Sequence, residues 1–194
     1  MNIYSIVVDD FLADFEAARK YADSAVYKDV ENPADGVIYP MISPDLAPGM
    51  GSEIAMNLMF IMGKPIYMNM AFMRLSPAGV YVPHQAHTDK LMGEWSMMLY
   101  LNRPEHCSGG TSVLRHVTGM DRHPTQPEDI QIWREDMNDE SKWQITDFCR
   151  MQTNRAFIFR SDLFHRAEPA GGFGRGPRNG RLVCTAFFNT TEPT

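Results

Sequence analysis

The segment His84-Gln85-Ala86-His87-Thr88-Asp89 sets two imidazoles three residues apart, with a carboxylate two residues past the second. In an extended chain, residues i and i+2 face the same way. His87 and Asp89 therefore present their side chains together, and Thr88 points away. A divalent transition metal needs a third ligand to cap one face of an octahedron, and the later candidate is His165 in "FRSDLFHRAEP". Two imidazoles and one carboxylate on one face leave three positions open, a donor set suited to a redox-active Fe(II) ion. His84 follows Pro83 and has no carboxylate two residues on, so it falls outside the set, as a surface residue or one that faces a substrate. His106 in "NRPEHCSGG", and His116 and His123 beside a polar insertion, read as exposed residues. Taken alone, His165 could equally be a core histidine.

Such a site needs rigid elements to bring distant residues together. "NIYSIVVDD" reads as a short strand, and "DDFLADFEAARKYADSA" as a helix with an aspartate at its N-cap. Residues 29–51 carry Pro and Gly clusters and read as loop. "SEIAMNLMFIMG" reads as a second helix, capped by its serine and closed by its glycine. From residue 65 the pattern changes to strands: "IYMNMAFMRL", "WSMMLYLN" (95–102), "GTSVLRH" (110–116), "RAFIFR" (155–160) and "RLVCTAFFN" (181–189). Residues 117–142 break that rhythm and read as an insertion holding a short helix from Pro127, a lid or substrate loop. The pattern predicts one domain over 1–194: a helical N-terminal support (1–64) and a β core (65–190), arranged as a helix-buttressed antiparallel sandwich or barrel.

A co-substrate that chelates a metal through a keto-acid end leaves a far carboxylate, which needs a fixed cation; arginine's fork suits it better than lysine. Arg181 opens a strand sixteen residues beyond His165. At this point the pieces "HTD", "YLN", "GGT", "NRAFIF", "FHRAEP" and "RLVCTAFFN", in that order over roughly residues 70–190, resemble the 2-oxoglutarate/Fe(II)-dependent dioxygenases, especially their prolyl-hydroxylase-like branch. The N-terminal "VVDDFL" is similar to the family's usual start. The resemblance implies a mainly β fold with flanking helices, a double-stranded β-helix or distorted cupin-like jelly roll. It implies His87, Asp89 and His165 as iron ligands, Arg181 as the partner of the distal carboxylate of 2-oxoglutarate, and Tyr100 of "YLN" beside that carboxylate. It further implies Fe(II), 2-oxoglutarate and O₂ as cofactor and co-substrates. The reaction would be hydroxylation of a small molecule, an amino acid or a peptidyl residue, and the carboxylate at 89 argues against halogenation. The glycine-rich loop "GGFGRGPRNG" is longer than in many relatives, and its Arg175 is an alternative to Arg181. A strand holds a side chain more rigidly than such a loop, which favours Arg181. Tyr100 also reads as a buried tyrosine with a satisfied hydroxyl.

Composition narrows the alternatives. The net charge of −6 disfavours binding to phosphate backbones, so no nucleic-acid partner is expected. Yet seven arginines stand between Arg150 and Arg181 against only Asp162 and Glu168, which suits a small acidic ligand. No apolar run reaches the roughly 18 residues of a membrane span, and the acidic N-terminus does not read as a secretory signal. Three scattered cysteines, Cys107, Cys149 and Cys184, argue for a reducing, cytoplasmic setting. The fifteen methionines, six of them in "MNLMFIMGKPIYMNMAFM", read as core packing. Trp133 is the tryptophan best placed to touch a substrate. The competing reading is a cupin-like module that binds metal without turnover.

Overall fold

The computed structural model describes residues 4–31 and 36–192. Its elements, in order, are β1 (Ser5–Val8), α1 (Phe15–Ser24), β2 (Lys28–Glu31), β3 (Ile38–Ser43), α2 (Met50–Met62), β4 (Tyr67–Ser76) and β5 (Trp95–Tyr100). There follow β6 (Gly110–His116), α3 (Pro127–Asp136), β7 (Trp143–Arg150), β8 (Ala156–Arg160), β9 (His165–Glu168) and β10 (Arg181–Asn189). The strands pair antiparallel into a seven-stranded sheet, β1-β8-β5-β10-β4-β3-β2, and a three-stranded sheet, β7-β6-β9.

The alternation of β10 shows why the two sheets lie face to face. Leu182, Cys184, Ala186 and Phe188 pack on Ala18 and Ala22 of α1 and on Ile54 and Leu58 of α2. Val183, on the opposite face, joins Tyr100, Phe157 and Phe159 of its own sheet and Val113 and Cys149 of the smaller one. Helices thus cover one face of the large sheet and the small sheet covers the other. Each fully buried aliphatic or aromatic side chain in these layers contributes about 1.5–3 kcal/mol. The architecture is the double-stranded β-helix, mainly β with three helices on its flanks. Among the described residues no helix is long and apolar enough to cross a membrane.

The N-terminal region departs from expectation. Helix α1 begins later than its apolar pattern suggests, with the Asp14 side chain accepting from Ala17 N. Phe11 and Leu12 form an extended lead-in stitched to Asn154 by backbone and side-chain hydrogen bonds. Helix α2 starts at Met50 behind Gly49, whose carbonyl accepts from Glu53 N, so Ser52 lies inside the first turn and is not its cap. The stretch 29–51 is not all loop: β2 and β3 extend the large sheet, with Ile42 opposite Arg74 of β4. Exposed residues in the edge strand β2 and Pro40 within its neighbour β3 hide both strands from a hydrophobic-pattern reading. Residues 32–35 of that stretch lie outside the described residues. Strand β7 was likewise not anticipated; it is an edge strand, largely exposed between Trp143 and Cys149.

Candidate metal centre

The chain from 86 to 89 is not a regular strand. His87 forms an isolated antiparallel bridge with His165 at the start of β9. The two residues exchange both backbone hydrogen bonds, His87 N to His165 O at 3.2 Å and His165 N to His87 O at 2.9 Å. Asp89 N donates to Ser161 O at 2.8 Å, which anchors the next turn of chain. The insertion grips this segment from outside. Met137 O accepts from Ala86 N at 2.9 Å, Asn138 Oδ1 accepts from Gln85 N at 3.0 Å, and Trp133 Nε1 donates to Ala86 O at 2.9 Å. Trp133 and Met120 also pack beside Ala86, Leu114, Trp143 and Phe164. Residues 117–142 therefore clamp the His87 segment through α3 and its C-terminal turn.

His87, Asp89 and His165 each offer one ligand atom, and these atoms all lie within 4.8 Å of one another. The tautomers follow from the surroundings. His87 Nδ1 lies 3.1 Å from Gln85 O, and His165 Nδ1 lies 3.0 Å from Leu163 O. A carbonyl can only accept, so each Nδ1 carries the proton and each Nε2 turns its lone pair to the centre. Orientation of an imidazole by a backbone carbonyl on its second nitrogen is the usual support of a metal-binding histidine. His165 Nε2 lies 3.1 Å from Asp89 Oδ2 but off the hydrogen-bond direction; it is buried and has no hydrogen-bond partner among the described residues. His87 Nε2 is 3.8 Å from Asp89 Oδ1. Ser96 Oγ donates to Asp89 Oδ2 at 3.2 Å and pairs with Ser161 Oγ at 2.9 Å.

The electrostatics suit a bound cation. Burial, then the neighbouring His165, pushes His87 down to about 4. Burial alone would raise Asp89, but His165, Ser96 and His87 outweigh it and hold the carboxyl below its ordinary value. Burial works against a charged His165, yet the Asp89 carboxylate beside it leaves the imidazole raised. An ionised carboxylate in a largely shielded pocket calls for a positive partner, and a divalent ion would meet both imidazole lone pairs as well. The donor set therefore fits a metal ion.

Arg181 and Tyr100 lie in the same interior. Arg181 is buried, donates from Nη2 to Gly110 O at 3.2 Å, and has an Nε without a hydrogen-bond partner among the described residues. Asn102 brackets it, accepting from Leu182 N at 2.8 Å and donating to Gly180 O at 2.8 Å. Gly110 has no room for a side chain, since a Cβ there would collide with the Cys149 carbonyl. The Tyr100 hydroxyl lies 2.9 Å from Thr111 Oγ1 and 3.1 Å from Cys149 O, so it is already partnered. Burial holds its phenol well above the ordinary value, with Arg181 pulling the other way. Arg175 and Arg178 are exposed on the glycine-rich loop.

The remaining histidines are separate from the centre. His84 Nδ1 touches Met137 Sδ at 2.8 Å. His123 Nδ1 meets Thr88 Oγ1 at 2.6 Å, and His106 sits in its turn. His116, expected to be exposed, is instead buried, with Nε2 3.0 Å from Asp136 Oδ2 of α3 and Nδ1 2.9 Å from Thr118 Oγ1. Its strand faces the insertion, and the imidazole ties the two together. The residue that sequence reasoning missed is Arg74 of β4, in "IYMNMAFMRL". Its register partner Val183 is paired in turn with Tyr100, so all three share the interior face. A cation inside an otherwise apolar strand was the available signal.

Solved structures with this fold include 2-oxoglutarate-dependent oxygenases. HygX from Streptomyces hygroscopicus, solved with iron bound, superposes with a TM-score of 0.60 at 13% identity, over 98% of this chain and 84% of that one. AviO1 from Streptomyces viridochromogenes Tue57 gives 0.57 at 11% identity, over 98% and 90%. SnoN from nogalamycin biosynthesis, described as a non-heme alpha ketoglutarate dependent epimerase, gives 0.56 at 13% identity, over 95% and 75%. At these identities the likeness establishes the fold. No curated protein matches the chain by sequence. Residues 3–188 match the family described as "Family of unknown function (DUF6445)", and the chain belongs to that family.

Proposed function

We propose that this protein is an Fe(II)- and 2-oxoglutarate-dependent oxygenase that hydroxylates a small molecule, an amino acid or a peptidyl residue. The observation that carries the reading is the convergence of His87, Asp89 and His165, with both imidazole Nδ1 atoms tied to backbone carbonyls and His165 Nε2 left unpartnered. Relatives of the fold support the choice of metal and co-substrate: HygX has been solved with iron, and with nickel and 2-oxoglutarate.

His87, Asp89 and His165 would hold the ion, and Arg181 would receive the far carboxylate of 2-oxoglutarate. Tyr100 stands next to Arg181, following the prolyl-hydroxylase-like pattern; its hydroxyl would have to trade Thr111 or Cys149 for that carboxylate. The bound iron, 2-oxoglutarate and O₂ would supply the oxidising chemistry, yielding succinate, CO₂ and a hydroxylated product. The chain's part is binding and shelter. Asp89 offsets the ion's charge, Ser96 steadies its Oδ2, and the aromatic layer of Phe157 and Phe159 excludes water behind His165. Free cysteines at 107, 149 and 184, two of them buried, suit a cytoplasmic location.

The test is anaerobic titration of Fe(II) and 2-oxoglutarate, followed by the visible charge-transfer band, then succinate release on admitting O₂. We expect the band and a slow substrate-independent release, both absent in Asp89→Ala. Metal uptake with no succinate from any substrate, and none without substrate, would instead identify a binding module of the cupin kind.

A further inference from the structure

Arg74 is a half-buried cation on the interior face of β4, and the oxygenase reading leaves it without a task. Its Nε and Nη2 are both shielded from solvent and have no hydrogen-bond partner among the described residues. The strand register puts it on the face of Val183 and Tyr100, with Arg181 two residues along β10 from Val183. Its guanidinium stands 5.9 Å from the centroid of the Tyr39 ring. Burial lowers its pKa to about 10, Arg181 repels it, and Tyr39 and Asp89 pull the other way. Its charge in turn acts on His87. Arg74 therefore shares the face of the sheet that carries Arg181, one same-face register pair away along β10. Two desolvated guanidinium donors without acceptors cost stability unless a ligand supplies the acceptors.

We propose that Arg74 anchors a carboxylate of the primary substrate, which makes that substrate a small carboxylic acid. This deepens the oxygenase reading and rests on it. Charge compensation points the same way. A divalent ion, Arg74 and Arg181 are opposed by Asp89 and the two carboxylates of 2-oxoglutarate, which leaves the pocket one positive charge in excess. Glu168, the other nearby acid, is engaged by Arg166 Nε at 2.6 Å. The excess belongs to Arg74, since Arg181 serves the co-substrate. A single free guanidinium fork matches one planar carboxylate, whereas a phosphate would bring more charge than the pocket lacks.

The experiment uses the full chain loaded with Ni(II), which blocks turnover. 2-Oxoglutarate affinity is measured by calorimetry for wild type, Arg74→Gln, Arg74→Lys and Arg181→Gln. A panel of N-acetyl-L-amino acids and their primary amides is then titrated into the Ni(II)–2-oxoglutarate complexes. We expect acids to bind wild type at least about tenfold tighter than their amides, the worth of one charge-assisted hydrogen bond. Arg74→Gln should erase that preference while 2-oxoglutarate affinity stays within about twofold, and Arg74→Lys should restore part of it. A tenfold loss of 2-oxoglutarate affinity in Arg74→Gln, matching Arg181→Gln, would make Arg74 a co-substrate ligand and overturn the proposal. So would equal binding of acids and amides, or no acid binding at all. A wild type that takes up no Ni(II) or no 2-oxoglutarate defeats the oxygenase reading; Arg74-dependent binding of the acids to that protein would still uphold the anchor.

Discussion

The two faces of β10 follow opposite rules. Toward the helices, Leu182, Cys184, Ala186 and Phe188 enter an apolar layer, stacked in part as Phe188 on Trp95, while Arg19 of the covering α1 is buried with its Nη2 on Asp23 and the carbonyls of Pro177 and Arg178. Toward the small sheet, Arg181 and its register neighbours enclose Tyr100, Arg74, Asp89 and two histidines, several of them with polar atoms left unpaired. Burial stabilises the first face directly. The second retains groups that stability alone would remove, since an unpaired buried donor costs about 1–3 kcal/mol. One strand thus teaches where the fold is held and where ligands complete it.

The contrast is broken most forcefully from the helix side. Phe188→Ala should cost about 3–5 kcal/mol of unfolding free energy while leaving Ni(II) affinity per folded molecule unchanged, as read by denaturant titration and calorimetry. Asp89→Ala should do the reverse, lowering metal affinity by more than about 100-fold with a small change in stability. Next in size, Arg181→Gln should raise the 2-oxoglutarate requirement about 10- to 100-fold with metal uptake intact. Arg74→Leu sharpens the comparison, because removing an unsatisfied guanidinium should raise ligand-free stability by about 1 kcal/mol, or ~2–4 °C in Tm. Loss of stability there would mean that Arg74 is a packing residue. Arg175→Ala, on the exposed loop, should change 2-oxoglutarate affinity by less than about twofold.

The amino-acid sequence by itself determined strands β4, β5, β6, β8 and β10, the helix beginning at Pro127 and the identity of the three convergent residues. Alternation and donor type are local properties, and they survive in a bare string of letters. The edge strands β2 and β7, and β3 next to β2, did not, because a strand that buries little carries no apolar alternation to read. The geometry that justified pairing His87 with Asp89 was also different in kind: backbone bonds to His165 and Ser161, not a regular strand, aim the two side chains. Only the tertiary structure decided that residues 117–142 clamp the His87 segment, that His116 is buried against Asp136, and that Arg74 shares an interior with Arg181. Each depends on which distant segments are brought within a few ångströms, and that is fixed by packing and register between strands far apart in the chain.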